Sequence, residues 1–484
     1  MKPTYEELQT ALADTQIKLT NTQTELSHTQ TELSHTQTEL AKMHHLLKLA
    51  LERIAVLEEK LNKNSKNSSK PPSTDQKSNS TESKNTRKNR SKGCHRKSFP
   101  PDQVDHFVDC SLESCPSCGS KELSELDKTL SLQQVDLPEV KAIVTQYNCK
   151  QHRCESCGNS SFATLPKGVP DSAFGTRLMS LIATLTGALH LSKRDTIWLV
   201  KNLYDVDISE GSIINVEERV ALALKQVYER IHRHVTQSLF PKHFDETSWR
   251  DRGKTHYVWT ASTITATCLH IDRSRSREAF QGFIGALSQS PVVTDRYAVY
   301  NQLEQPHQYC LAHVIRDCRK YSERDGPDGK IGHAIEKELI QVCRNHREFC
   351  EGLISKRARN SRFRHQKKRL EDLLLDGFIE GSKELESFCD RLIDCFANLW
   401  TFSNVTDVEP TNNLAERDLR SVVLWRKKSY GTRSERGQRY VERIGSVVQT
   451  LKKAGLNIFD YLRTAVSDFY HGKSVPMINS VHEF

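Results

Sequence analysis

Two cysteine motifs offer the first chemistry. Cys115-Pro-Ser-Cys118-Gly and Cys154-Glu-Ser-Cys157-Gly are CxxC knuckles with 35 residues between them. A CxxC followed by glycine makes a tight turn that aims two thiols at one point. Two such turns supply four sulfurs, the donor set of a closed tetrahedral zinc site. The spacing therefore predicts one structural Zn²⁺ on Cys115, Cys118, Cys154 and Cys157, with Cys110, Cys149 and His152 near enough in sequence to substitute. The chain holds 14 cysteines among 484 residues, and its polar start, Met-Lys-Pro-Thr, does not read as a secretory signal. Reduced thiols and a metal in the cytoplasm are the expectation, rather than a disulfide scaffold.

Carboxylates offer the second chemistry. Asp245 and Asp295 each fall at the end of a run that reads as a strand, a position from which two acids can share divalent cations. Glu246 is an alternative ligand to Asp245, but strand alternation turns neighbouring side chains to opposite faces, so one of the two faces any site. Asp295 is equally placed to cap a following helix. His307, Cys310 and His313 recur at three-residue intervals; packing beside a strand is preferred for them over a metal site.

Basic clusters offer the third. The chain has a net charge of +9, and eleven Lys/Arg between Lys63 and Lys97 stand against only Asp75 and Glu82, so this segment holds the whole excess. Lys356–Arg369 contains eight Lys/Arg and no acid, a pattern able to follow a phosphate backbone. Trp425, Arg426, Lys427, Lys428 and Arg433 join an aromatic to a basic patch. Each cluster is equally compatible with a solvated surface.

The elements that must position these groups are legible in part. An apolar residue recurs every seven positions at Leu12, Leu19, Leu26, Leu33, Leu40, Leu47, Ile54 and Leu61, which predicts a left-handed coiled coil over 1–61 and hence a homo-oligomer. The second seam position is Thr15, Thr22, Thr29 and Thr36, then Met43, Ala50 and Leu57, so the later heptads should zip best. Residues 62–105 form a basic linker rich in Asn, Ser, Lys and Pro, expected to be disordered alone. The zinc-binding ribbon spans 106–165, with Leu130–Asn148 expected to be strand-rich. A helical region, 166–238, contains Ser192–Val220, which reads as helix, turn, helix with Ser209 as N-cap; Glu210, Glu217 and Glu218 would repel phosphates from its second helix. From 239 strands return, in the order βββαβαβα of a ribonuclease-H-like α/β domain, running to 445 with a helical insertion at about 326–404. A helical tail, 446–484, follows. The whole reads as a multidomain α+β chain. No apolar run approaches the ~20 residues of a membrane span.

Taken together, NSKNSSKPPSTD, the CPSCG and CESCG pair, FDETSW, VTDRYAVYN, CLAHVIRD, EPTNNLAERDLR and LWRKKSYGTRSERG resemble the motifs of bacterial transposases of the insertion sequence 66 family, in the family's order from about Asn62 onward. The resemblance implies a metal-dependent DNA strand-transfer enzyme using two aspartates and a glutamate: Asp245, Asp295 and Glu416, with two Mg²⁺. Glu409 is the rival third acid, and Glu416 would sit at N3 if Asn413 caps its helix. The resemblance also implies DNA at both element ends and target, with accessory proteins of the same element as further partners. Arg417, Arg420, Arg426, Lys427, Lys428 and Arg433 are the expected DNA contacts. Two rivals remain: a nuclease of the same fold that cuts without joining, and a non-catalytic DNA-binding regulator.

Overall fold

The computed structural model describes residues 5–61 and 98–478; most of the basic linker lies outside the described residues. The chain divides into two compact units, each assembled from separated stretches. One comprises the described parts of Met1–Gln76 with Leu239–Asp245 and Gln289–Leu414; the other comprises the described parts of Lys77–Ser238, Glu246–Ser288 and Ala415–Phe484. The stretch expected to form one catalytic domain, 239–445, contributes to both. The boundary expected between 445 and 446 falls inside a helix.

Helix α1 (Tyr5–Leu61) is continuous over 57 residues, about 86 Å at 1.5 Å per residue. Its seven-residue apolar seam is exposed, from Leu12 at 61% to Ile54 at 50%. The seam threonines Thr15, Thr22, Thr29 and Thr36 each donate to a carbonyl one turn back. Their hydroxyls are thus satisfied within the helix.

The cysteine module is less regular than its sequence suggests. Only β1 (Gln151–Arg153) and β2 (Ser160–Phe162) pair, antiparallel, around the second knuckle. No strand forms over Leu130–Asn148, which corrects the strand-rich expectation. Leu130, Leu132, Ile143 and Val144 are more than 90% exposed. Alternating Leu and Val favour an extended backbone, but a strand also needs a neighbour to take its hydrogen bonds.

Four helices follow: α2 (Thr176–Ala183), running on into a π-helical turn at Thr184–Ala188, then α3 (Lys193–Tyr204), α4 (Glu210–Ala223) and α5 (Lys225–Gln237). Ser192 and Ser209 cap α3 and α4 by accepting from Asp195 N and Ser212 N. The acids of α4 hold the helices together: Glu217 pairs with Lys193 at 2.7 Å, Glu210 with Arg194 at 3.2 Å and Glu218 with Arg436 at 3.1 Å. Ile213, Val216 and Val220 bury its inner face.

Next come β3 (Lys242–Asp251), β4 (Lys254–Ser262) and β5 (Thr267–Asp272), then α6 (Arg277–Ile284), β6 (Val292–Thr294) and β7 (His307–Tyr309). The strand order is β5-β4-β3-β6-β7. β4 and β5 are antiparallel, whereas β3, β6 and β7 run parallel. Arg252 and Gly253 turn β3 into β4 with φ of 49° and 77°, the left-handed pair a two-residue hairpin needs.

In the first unit, α7 (Leu311–Ser322), α8 (Gly326–Cys350), α9 (Lys356–Glu380), α10 (Lys383–Asp394) and α11 (Thr401–Asn404) follow β7. They share a core that includes Val314, Ile335, Leu339, Phe363, Leu374, Phe388, Trp400 and Phe402. Gln308, buried on β7, ties this core to the sheet by accepting from Phe402 N at 2.9 Å and donating to Leu399 O at 3.2 Å.

The chain ends with α12 (Asn413–Ser429), α13 (Glu435–Lys453) and α14 (Ile458–Tyr470). In the second unit α13 lies along the edge strand β5. Glu442, Ser446 and Thr450 accept from the N–H groups of Ile271, Leu269 and Thr267 at 2.7, 2.9 and 3.2 Å. Four residues of helix rise ~6.0 Å and two of strand ~6.6 Å, so the two spacings match. A sheet edge that would otherwise invite another strand is thereby closed. The helix can approach because Gly445 lacks a Cβ, which would come within 2.7 Å of Leu269.

Candidate active site and nucleic-acid surface

In the first unit, Lys242 and His243 of β3 pair with Val292 and Val293 of β6, and Thr294 pairs with Tyr309 of β7. Continuing those registers sets Asp245 beside Asp295, and Asp295 beside Cys310; Asp295 and Cys310 follow the last residues of β6 and β7, whereas Asp245 is the fourth of the ten residues of β3 and not at its end, which corrects the expectation. Neighbouring strands lie ~4.8 Å apart, a separation at which two carboxylates can bridge cations. One oxygen of Asp295, Oδ1, accepts from Tyr297 N at 2.9 Å. That bond fixes the carboxylate's direction; the capping role foreseen for Asp295 is thus a turn before a short 3₁₀ helix, Ala298–Gln302.

Glu246 is engaged elsewhere. Its side chain is 2% exposed and forms an ion pair with Arg275. Glu409 Oε2 lies 3.6 Å from His346 Nε2 of α8. Glu416 is half-buried in the first turn of α12, in the second unit. Because the helix starts at Asn413, Glu416 is one position past N3, out of register for a capping box. At the N-terminal turn its charge is favoured by the helix dipole.

Sequence reasoning missed Asn412. It is fully buried, donates from Nδ2 to Phe244 O at 2.7 Å and contacts His243 Nδ1 through Oδ1 at 3.1 Å. Its N–H points to Cys310 Sγ at 3.1 Å. One amide thus fixes β3 just before Asp245 and the chain just before α12. The Asn412-Asn413 doublet was the available signal. His307 is a packed histidine: its Nε2 lies 2.8 Å from Thr294 Oγ1, and burial pushes its pKa down to about 4.

On α12, Arg417, Arg420, Lys427 and Lys428 are exposed along one helical face, with Arg433 exposed in the loop beyond. Arg426 is half-buried and donates to Ser248 and, at 3.4 Å, to Thr247 Oγ1. Trp425 is only 6% exposed. It stacks on His190 at 4.7 Å and meets Trp249 and Tyr440 edge-on, so it is a core residue, not a platform for DNA. The basic stretch of α9 is also largely engaged within its own unit. Arg362 pairs with Glu348 and Lys368 with Asp372, both at 2.8 Å, Arg369 with Glu338 at 3.4 Å, and Arg359 lies 4.3 Å over Phe349. Lys356, Arg357 and Arg364 remain exposed.

Both cysteine knuckles are turns of one kind. Gly119 and Gly158 have φ of 73° and 75°, and each donates to the carbonyl of the first cysteine at 2.8 Å. Hydrogen bonds from the backbones of Ser117 and Cys118 hold the Cys115 thiol below its usual range; those from Cys157, backbone first and then side chain, do the same for Cys154. Thiolates are the form a metal takes, so both turns suit zinc.

Residues 171–440, more than half of the chain, match the family model described as transposase IS66 family. The chain belongs to the IS66 transposase family. That match contains Asp245, Asp295, Glu416 and the basic face of α12. Residues 113–158 of this transposase match the zinc-finger binding domain of transposase IS66, which includes all four knuckle cysteines. Residues 16–98 match a family of unknown function, DUF6444. No curated protein matches the transposase. Membership implies a DNA-binding enzyme that cleaves DNA and has a zinc-finger domain. Among the described residues no helix is long and apolar enough to cross a membrane.

Proposed function

We propose that this transposase cleaves DNA at the ends of its mobile element and joins the freed 3′-hydroxyls to target DNA, with Asp245, Asp295 and Glu416 holding two Mg²⁺. The parallel register that, continued, sets Asp245 within β3 beside Asp295 just after β6 supports this reading most strongly. The strand order β5-β4-β3-β6-β7, with β4 and β5 antiparallel and β3, β6 and β7 parallel, supports a ribonuclease-H-like core. When bound, the cations would activate the attacking oxygen and stabilise the leaving one. The chain's own residues orient the acids: the Tyr297 amide turns Asp295, and Asn412 fixes the strand before Asp245. Arg417, Arg420, Lys427 and Lys428 hold phosphates, with Arg426 and Arg433 flanking. Labelled DNA bearing the element's ends, with a target plasmid and Mg²⁺, tests the reading: joined product supports it, cut product alone indicates a nuclease, and a bound complex alone a regulator.

The exposed seam of α1 supports a homo-oligomer, which would hold two element ends together. Deleting residues 1–61 should reduce the number of chains per particle by light scattering; an unchanged number would assign oligomerisation elsewhere. One zinc on Cys115, Cys118, Cys154 and Cys157 is structural in this reading, because four thiolates leave no open position. Cys115→Ser with Cys118→Ser should lose that one zinc by elemental analysis and increase proteolysis within 106–165. Unchanged zinc would move the site to other ligands.

A further inference from the structure

Helix α12 ends on a strained aromatic. Tyr430, the residue after its last turn, has a φ of 58° and donates its N–H to Arg426 O at 2.9 Å. Helices commonly place glycine at this position, because a left-handed backbone crowds any Cβ. A bulky aromatic there is an outlier, and such strain persists only where the surroundings fix it. The glycine comes one residue later, where a close approach demands it. Gly431 has a φ of 100°, and a Cβ on it would come within 2.0 Å of Arg250 O.

The residues that follow clamp the loop onto the β3–β4 hairpin. Thr432 N donates to Arg250 O at 2.8 Å, and Arg252 N donates to Thr432 O at 3.0 Å. Thr432 Oγ1 donates to Asp251 Oδ1 at 2.8 Å and accepts from Trp249 Nε1 at 3.1 Å. The backbone is thus held on both sides of Tyr430, yet Tyr430 itself is 84% exposed. Burial of the ring therefore does not account for the strained conformation.

The surrounding charge indicates what the ring would meet. Lys428, Arg433, Arg250 and Arg252 are exposed on the same loop and hairpin, and none forms an ion pair among the described residues. Burial, and then the neighbouring Arg250, hold the pKa of Arg426 below its usual range, a sign of crowded positive charge. Uncompensated cations favour a polyanion over an apolar protein surface. An aromatic among cations suits an unpaired nucleotide, with phosphates on the cations and a base face on the ring. Bases within a duplex already stack on both faces, so only an unpaired or terminal base has a face to offer.

We propose that Tyr430 is a stacking platform for an unpaired base of DNA bound along α12. The clamped loop presents the ring in a fixed place, and Lys428 and Arg433 hold the flanking phosphates. The proposal rests on the proposed function for the source of the base, since cleavage at an element end exposes a terminal nucleotide. The stacking itself requires only that DNA bind.

Anisotropy of the full chain with two labelled DNAs tests this: a blunt duplex, and the same duplex with a short single-stranded tail. The parent should bind the tailed DNA more tightly. Tyr430→Ala should lose about tenfold on the tailed DNA and less than about twofold on the blunt duplex, because the stacking is confined to unpaired bases. Tyr430→Trp should keep the preference. Tyr430→Gly should lose it with a urea midpoint no lower than the parent's, because glycine adopts this backbone freely; that result separates loss of the ring from loss of the fold. A parent with no preference for the tail, or a Tyr430→Ala that loses equally on both DNAs or on neither, would overturn the proposal. No cleavage is read, so failure here leaves the metal chemistry standing, and failure of the metal chemistry leaves this result standing.

Discussion

Asp245→Asn, Asp295→Asn and Glu416→Gln should each reduce strand cleavage by roughly a thousandfold or more while leaving DNA binding intact. Each change preserves shape and removes one metal-binding charge. A cation in such a site supplies several kcal/mol of transition-state stabilisation, and each ~1.4 kcal/mol is a factor of ten in rate. Binding should persist because the exposed basic face of α12 is unaltered. Glu409→Gln should cut within a few-fold of the parent, because Glu409 is directed toward His346. Cleavage by single-turnover gel assay and binding by mobility shift separate the two effects. Normal cutting by Glu416→Gln with loss of cutting in Glu409→Gln would exchange the third ligand; normal cutting and joining by all three acid variants would refute the site.

Lys453→Met should destabilise the second unit by about 3–5 kcal/mol, the usual cost of leaving one buried charge without its partner. Lys453 Nζ lies 2.8 Å from Asp418 Oδ2, with the two side chains 11% and 10% exposed. Ser262 and Thr267 donate to the same oxygen at 2.7 Å. Burial holds the Lys453 pKa below its usual value, with Asp418 opposing that shift. Removing the ammonium leaves a carboxylate among hydroxyls only. Asp418→Leu combined with Lys453→Met should recover much of the loss, since apolar replacement removes both desolvation costs. The shift in urea midpoint reads both. Because Asp418 follows Glu416 by two residues on α12, the single variant should also reduce cleavage more than binding. A midpoint unchanged by Lys453→Met would show that the pair contributes nothing to seating α12.

The sequence made some of this legible because local rules and tertiary structure agree. The strands β3 to β7 follow from short β-rich runs and from turns such as Arg252-Gly253. Asp295 was readable as a candidate ligand because it ends such a run; Asp245 was read the same way, but its strand continues to Asp251. Ser209 caps its helix as its position suggests. Other features depend on partners far along the chain. Trp425 beside Arg426 and Lys427 reads as a DNA-binding patch, yet His190, Trp249 and Tyr440 enclose it. Lys356–Arg369 looks uncompensated in sequence because Glu338 and Glu348 lie on the preceding helix. The alternation over Leu130–Asn148 specifies extended backbone but supplies no neighbouring strand. The closure of β5 by Glu442, Ser446 and Thr450 is invisible until a helix and a strand are laid side by side.

The most direct test of the central claim is a metal-specificity switch at the acids. Asp295→Cys places a thiolate where the account requires a metal ligand. Thiolates bind Mg²⁺ poorly and softer ions such as Mn²⁺ better. Cleavage of labelled element ends by Asp295→Cys should be lost in Mg²⁺ and regained in Mn²⁺, while Asp295→Ala remains inactive in both. If Asp295→Cys and Asp295→Ala behave alike in the two metals, or both cut normally in Mg²⁺, Asp295 is not a metal ligand and the proposed mechanism fails.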